Sequence, residues 1–481
     1  MSALAGLPAV ELARLVRERE VTVPQVVEDH LARIDETDGV LHAFVAVRAE
    51  AVRAEARDAQ LRLDAGEPVG PLHGVPFTAK DVLATSDPVA RAGSLAAPPE
   101  PTPDATAVQR MRAAGALLLG KTACPELAFG VDTVSPVSGA TGSPWGEGLT
   151  PGGSSGGEAA AVASGMSAVG LGTDYGGSLR WPAACVGILA VRPTVGLVPG
   201  TGQLPGLPGP GGRRLPDPWS LQGALQVVGP LARTVDDLAL ALDVLAGPDG
   251  WDPAVRAAAP VVPPGPGVEG LRVGWVARED STPVRRDVAV LVARAVALLG
   301  SAGAEVEHRP GLLDGAHAAY NAVRDADGLD DLRRWVSGRE HLLGPELQLA
   351  LARPQPLRSA YAEAWAAAAE PRQRILAALG AGDEPGLDLL VCPVAPVPAF
   401  RRGVPVEVEG QRLAGFDLMA LCRAVTLPGL PSLSVPVGLS EDGLPVSVQL
   451  VARPYAEPVL LAAARVLTAA VGPLLPPPPA S

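Results

Sequence analysis

Short apolar runs bounded by turn residues alternate with helix-like stretches along the whole chain, and no clean linker divides its 481 residues. An apolar run of about four to eight residues reads as a strand and a longer 3.6-periodic stretch as a helix, so this alternation predicts the α/β class. Ala9–Glu18 has helical spacing, and Thr22 with Pro24 resembles a cap plus first-turn proline opening a second helix to about Ile34. Leu41–Val47 reads as a strand and Arg48–Leu63 as a helix, which makes residues 1–65 a mostly helical segment packed on the rest. Further strands are expected at Val75–Ala79, Ala116–Leu119, Ile188–Val191, Leu271–Val276, Glu305–His308, Leu387–Pro393, Leu433–Val437 and Val446–Leu450. Helices are expected at Thr106–Ala114, Glu158–Gly165, Val235–Leu245 and Val284–Leu299. Residues 138–157 and Leu171–Arg180 are Gly-rich and read as loops, and 199–218 as a long surface loop. One domain over 1–475, followed by a Pro-rich tail at 476–481, is the expected organisation.

Aromatic residues make up only 3% of the chain, so its core must be built from Ala, Val and Leu. A net charge of −13 argues against nucleic acid, which is bound by neutralising phosphates with a basic face. The four cysteines, Cys124, Cys185, Cys392 and Cys422, lie far apart without CxxC spacing and suit a reducing compartment. The six histidines form no ligand-like cluster, so neither metal nor organic cofactor is expected. The N-terminus lacks the basic start of a signal peptide, and the apolar stretch Val459–Val471 is too short for a bilayer and carries Arg465. A cytoplasmic protein without a membrane partner is the expectation.

Lys80 and Lys121 are the only lysines among 39 basic residues. Arg cannot be deprotonated in a protein, whereas a buried Lys amine can, so a retained lysine marks a place where an amine is wanted. Lys121 closes Gly115-Ala-Leu-Leu-Leu-Gly-Lys121-Thr122, which has the form of a phosphate-binding loop. A helix precedes it, however, its variable positions are strand-like leucines, and Pro125 follows, so Lys121 is read as the end of a strand. Gly153-Ser-Ser155-Gly-Gly157 likewise has the form of a nucleophile elbow. The downstream histidines His308, His317 and His341 stand in no informative context, and that reading is set aside.

Lys80 differs. It ends Gly70-Pro-Leu-His-Gly-Val-Pro-Phe-Thr-Ala-Lys80-Asp81; Thr150-Pro-Gly-Gly-Ser154-Ser155-Gly-Gly-Glu158 and Gly172-Thr-Asp174-Tyr175-Gly176-Gly177-Ser178-Leu-Arg180 follow. These segments resemble the amidase signature family, the Ser-cisSer-Lys hydrolases of amides. Gly229–Asp237, Asp388–Pro393 and Gly443–Gln449 extend the resemblance over most of the chain. It implies one large α/β domain with a mixed central sheet surrounded by helices.

Amide hydrolysis needs a nucleophile, a base that later serves as acid, and donors for the oxyanion. The resemblance makes Ser178 the nucleophile, Lys80 the neutral base, and Ser154, preceded by a cis peptide bond, the bridge between them. A turn through two glycines can aim backbone N–H groups inward, so those of Tyr175, Gly176, Gly177 and Ser178 are the candidate oxyanion donors. Lys80 must lose its proton near neutral pH. Burial shifts it that way, and Asp81 opposes the shift if its carboxylate points at the amine. Ser155 is read as a loop or helix-start hydroxyl, Asp174 and Arg180 as a loop-fixing pair, and Glu158 as a first-turn helix acid.

Trp181 stands where similar proteins often carry an aliphatic residue or Gln. Together with Leu204, Leu207 and Trp219 of the long loop it forms the candidate pocket for a small-molecule amide. The 199–226 stretch does not resemble the short connection of the glutamyl-tRNA amidotransferase A-type chain, whose tyrosine-rich C-terminal segment is also not evident. A partner-dependent component of such a complex, an acyl transferase and an esterase remain the alternatives, and the oligomeric state is left between monomer and homodimer.

Overall fold

The computed structural model describes residues 4–98, 100–256, 267–279, 281–380 and 386–474, so the Pro-rich tail expected at 476–481 lies outside the described residues. Its main sheet contains β1 (Phe44–Val47), β2 (Pro76–Lys80), β3 (Leu117–Thr122), β4 (Val169–Asp174), β5 (Leu189–Arg192) and β6 (Val227–Ala232). It continues with β7 (Arg272–Trp275), β8 (Glu305–His308), β9 (Leu389–Pro393), β10 (Ser432–Leu439) and β11 (Pro445–Val451). Their spatial order is β1-β3-β2-β4-β6-β5-β10-β11-β9-β7-β8. β3, β2 and β4 run parallel, as do β9, β7 and β8, and the strands between them pair antiparallel. The sheet is therefore mixed, and its central strands are buried throughout because both faces are covered. Every residue of β2, β3, β4 and β6 is buried.

The helices expected from sequence are present, with shifted ends. Thr22 accepts from Gln25 N at 3.3 Å while Gln25 Oε1 accepts from Thr22 N at 2.8 Å, a reciprocal cap that starts the helix Val23–Leu41. That helix runs past Ile34 through a polar stretch and ends where His42 turns left-handed at φ 49°.

Two strands differ from expectation. The Gly-rich 171–180 segment contains the buried strand β4, and β6 lies in a stretch not assigned from sequence. At Gly170 a Cβ would stand 2.3 Å from Glu158 Oε2, and at Gly172 2.7 Å from Leu179 Cδ2. Glycine there permits close approach inside a strand and does not mark a loop. The 199–218 loop is likewise buried over 200–204. Ala84 N donates to Gly202 O and Leu204 N to Val82 O, both at 2.8 Å, which fastens the loop to the chain just after Lys80. Helices Ala316–Asp327, Asp330–Trp335, Pro345–Ala352, Arg358–Ala367 and Ala369–Ala378 occupy the stretch between β8 and β9.

Candidate active site

Side chains alternate across a strand, so Thr78 and Lys80 of β2 share one face, and that face meets the helix Gly156–Ala163 and the loop that opens it. Lys80 is fully buried, and its amine lies 2.6 Å from Ser154 Oγ and 2.9 Å from Thr173 Oγ1 of β4. The Gly153–Ser154 peptide bond is cis. Ser154, Thr173, Tyr175, Gly176 and Ser178 all line one cavity. Lys80 and the two serines of the sequence pattern thus converge, although 74 residues separate the lysine from Ser154.

Burial lowers the Lys80 amine to a pKa of about 8, against the opposing pull of Cys124, Asp174 and Glu158. Asp81 does not supply that pull. Its carboxylate accepts from the amides of Arg91 (3.2 Å) and Gly93 (3.0 Å), away from the Lys80 amine. Lys121 ends β3, as the sequence suggests, with its amine also buried, donating to Lys80 O at 3.0 Å and to Leu83 O. A phosphate-binding loop would need a helix starting there, and the chain instead enters a turn at Glu126–Ala128.

Glu158 is more than a first-turn acid. It is fully buried, and it accepts from Thr78 Oγ1 at 2.6 Å and Thr122 Oγ1 at 2.8 Å. Burial raises its pKa to about 7, against the lowering effect of these hydroxyls and both lysines. Thr78, Thr122 and Thr173 surround the lysines without having been marked by the sequence. The available signal for Thr78 and Thr122 was their position next to or two residues from a lysine on a buried strand.

The turn carrying Ser178 is wound around Asp174. Its Oδ1 accepts from Gly177 N at 2.8 Å and its Oδ2 from Leu179 N at 3.1 Å. Arg180 binds the same carboxylate through Nη2 and Nε, each at 3.0 Å, and also reaches Gln449 Oε1, Thr426 Oγ1 and Cys422 O. Burial alone would raise Asp174, but Arg180 and Arg192 hold it well below the usual carboxylate range. A bidentate buried pair of this kind fixes geometry. The Gly177 N–H is already donated to Asp174 and Gly177 does not line the cavity, whereas Tyr175, Gly176 and Ser178 do. Gly177 has φ +131°, and a Cβ there would lie 2.8 Å from Cys422 Cβ. Ser155 ties this region together by its Oγ, 3.3 Å from Thr173 O, and by its amide, 3.2 Å from Ser178 O.

Of the candidate pocket residues, Leu204 lines the cavity. Trp181 is fully buried elsewhere, donating to Val131 O at 2.8 Å and stacking on Phe400. Leu207 pairs with Leu215 in a two-strand ribbon. Trp219 is 81% exposed. The remaining lining includes apolar residues (Leu127, Phe129, Phe416, Met419), polar ones (Gln222, Gln226, Asp327, Asp331) and the arginines Arg324 and Arg423, none of them marked by the sequence.

Comparison with known proteins agrees with this arrangement. The amidase family model matches residues 25–461. The chain is 36% identical over 511 aligned positions to the A-type chain of the glutamyl-tRNA(Gln) amidotransferase from Anaeromyxobacter sp. (strain K), covering 98% of this chain and 99% of that one. A 6-aminohexanoate cyclic dimer hydrolase complexed with substrate superposes with a TM-score of 0.84 at 28% identity, covering 98% and 99% of the two chains. The peptide amidase from Stenotrophomonas maltophilia does so with a TM-score of 0.80 at 28% identity and 99% coverage of both. With its sheet order, its lysine and serine pair at one cavity and a family match spanning nearly its whole length, the chain belongs to the amidase signature family.

Proposed function

We propose that this protein hydrolyses a carboxylic amide to acid and amine or ammonia through an acyl-enzyme on Ser178. The observation that carries the reading is the buried Lys80 amine, lowered to a pKa of about 8, 2.6 Å from Ser154 Oγ at the cavity that Ser178 lines. Neutral Lys80 takes the Ser154 proton as Ser154 takes that of Ser178, and Ser178 Oγ bonds to the carbonyl carbon. Amides of Tyr175, Gly176 and Ser178 hold the oxyanion. The C–N bond then breaks as the proton returns through Ser154 to the leaving nitrogen, and water attacks the ester by the reverse relay. The test is a fluorophosphonate probe with the adduct located by peptide mass spectrometry, followed by an amide panel. Label on Ser178 with amide turnover supports the reading, and label on Ser155 with Ser178 unmodified refutes it.

The similarity to the A-type chains of amidotransferases supports a second reading, a component whose acyl-enzyme serves a partner. The purified chain turning over amides alone would favour the first. Turnover confined to glutamine and to a reconstituted complex would favour the second.

A further inference from the structure

We propose that the corner of the cavity formed by Arg324, Phe416 and Arg423 binds a carboxylate of the substrate, so that the amide hydrolysed is an anion. The inference rests on the amidase reading and narrows its substrate class.

Arg423 is only 2% exposed and makes no ion pair among the described residues, although the chain holds 52 carboxylates. Burying a cation without a counter-charge is costly. Its Nη1 donates to Asn321 Oδ1, a neutral partner, and its Nε has no partner among the described residues. Asn321 is itself oriented by His317, whose Nε2 lies 3.0 Å from Asn321 Nδ2, so the amide oxygen is left facing the guanidinium. Arg324 stands on the same ring: the two guanidinium carbons lie 4.9 Å (Arg324) and 3.9 Å (Arg423) from the Phe416 centroid. Nε and Nη2 of Arg324 share the single oxygen Asp325 Oδ1, at 3.1 and 2.7 Å, and its Nη1 is buried without a partner among the described residues. Arg324 is thus paired with Asp325 while Arg423 has no ion pair among the described residues, and each keeps one buried N–H without a partner there.

The acids of the cavity do not answer them. Asp327 accepts from Leu221 N at 2.7 Å and Asp331 is engaged by Arg334. A carboxylate has the flat two-oxygen edge that guanidinium forks match. The reacting centre is close, because the Arg423 Cγ lies 3.3 Å from where a Cβ on Gly176 would stand. An amide and a carboxylate separated by a few methylenes would span from Ser178 to this corner, with Phe416 and Met419 against the methylenes.

The experiment compares succinamate with butyramide, and glutaramate with valeramide, pairs of similar size that differ in charge. The wild-type protein is expected to favour the anionic member by about 10- to 100-fold in kcat/KM, the range of a charge-assisted hydrogen bond. Arg423→Gln should lower that anionic-to-neutral ratio by a similar factor. Arg324→Gln, on a more exposed side chain, should lower it about tenfold and guards against misfolding of the first variant. A wild-type preference for the neutral amides, or a ratio unchanged in both variants, overturns the proposal. Failure of the amidase reading shows separately, as no turnover of either member and no label on Ser178. Calorimetric titration with succinamate then decides the anion site. Binding that weakens in Arg324→Gln sustains it, and no binding to the wild-type protein ends it.

Discussion

The amine of Lys121 donates to the main-chain carbonyl of Lys80 at 3.0 Å, so the only two lysines of the chain are joined, one holding the backbone of the other. Lys121 also reaches Leu83 O and so pins the turn that leaves β2. Both amines are buried and lowered to a pKa of about 8, yet only Lys80 donates to a serine hydroxyl, that of Ser154. Replacing Lys121 with Met would leave the buried Leu83 carbonyl without its donor and Lys80 O with the Leu83 amide alone, at a cost of about 1–3 kcal/mol. A lowered melting temperature together with lowered kcat is expected, and unchanged kcat in a stably folded Lys121→Met would deny the lysine its positioning role.

Lys80→Arg should be nearly as damaging as Lys80→Ala, each by about 10²- to 10⁴-fold in kcat, because guanidinium keeps its charge and cannot accept the proton. Single-turnover kinetics on any amide the protein hydrolyses checks this. Near-normal turnover in the arginine variant would break the mechanism.

Activity should follow the neutral form of Lys80. Its amine gains a proton as pH falls through about 8, so kcat/KM is expected to decline below that value and level off above it. The carboxylates of Asp174 and Glu158 both favour the ammonium form. Glu158→Gln removes one of them, so its acid limb should move to lower pH. A limb that stays in place would mean that Lys80 is not the group being titrated.

Gly177→Ala should be disruptive out of proportion to its size. The residue sits at φ +131°, and the new methyl would meet Cys422 Cβ at 2.8 Å and Met419 Sδ at 3.1 Å. Left-handed strain and overpacking together cost about 2–6 kcal/mol. Thermal denaturation and fluorophosphonate labelling would both register it, and a variant with native stability and labelling rate would contradict this placement.

Of the three sequence candidates in the long loop, Leu204 alone lines the cavity. Leu204→Ala should raise KM for bulky amides, whereas Trp219→Ala, altering an 81% exposed side chain, should leave KM where it was. Equal effects of the two substitutions would show that the loop closes differently in solution.

Much of this was legible in the order of residues. Apolar runs of period 2 and 3.6 announce the sheet and its covering helices, since burial of one face imposes those periods on any strand or helix. Lys80, Ser154, Asp174 and Ser178 could be picked out because the motifs that carry them resemble those of the family and each spans only a few residues. β4 was hidden for the opposite reason. Gly170 and Gly172 look like loop residues, and only the side chains of Glu158 and Leu179, brought in from elsewhere, explain them. The same holds for the commitment of Gly177 N–H to Asp174, and for the placement of Trp181 away from the cavity.

The sequence by itself determined the fold class and the candidate reacting groups, because periodicity and short motifs are local properties of the chain. Which residues of the Ser178 turn line the cavity, what lowers Lys80, and how Arg324 and Arg423 come to flank Phe416 were decided by tertiary structure alone. Hydrogen bonding, desolvation and charge pairing depend on which distant residues are neighbours, as Arg423 and Asn321, 102 positions apart, show.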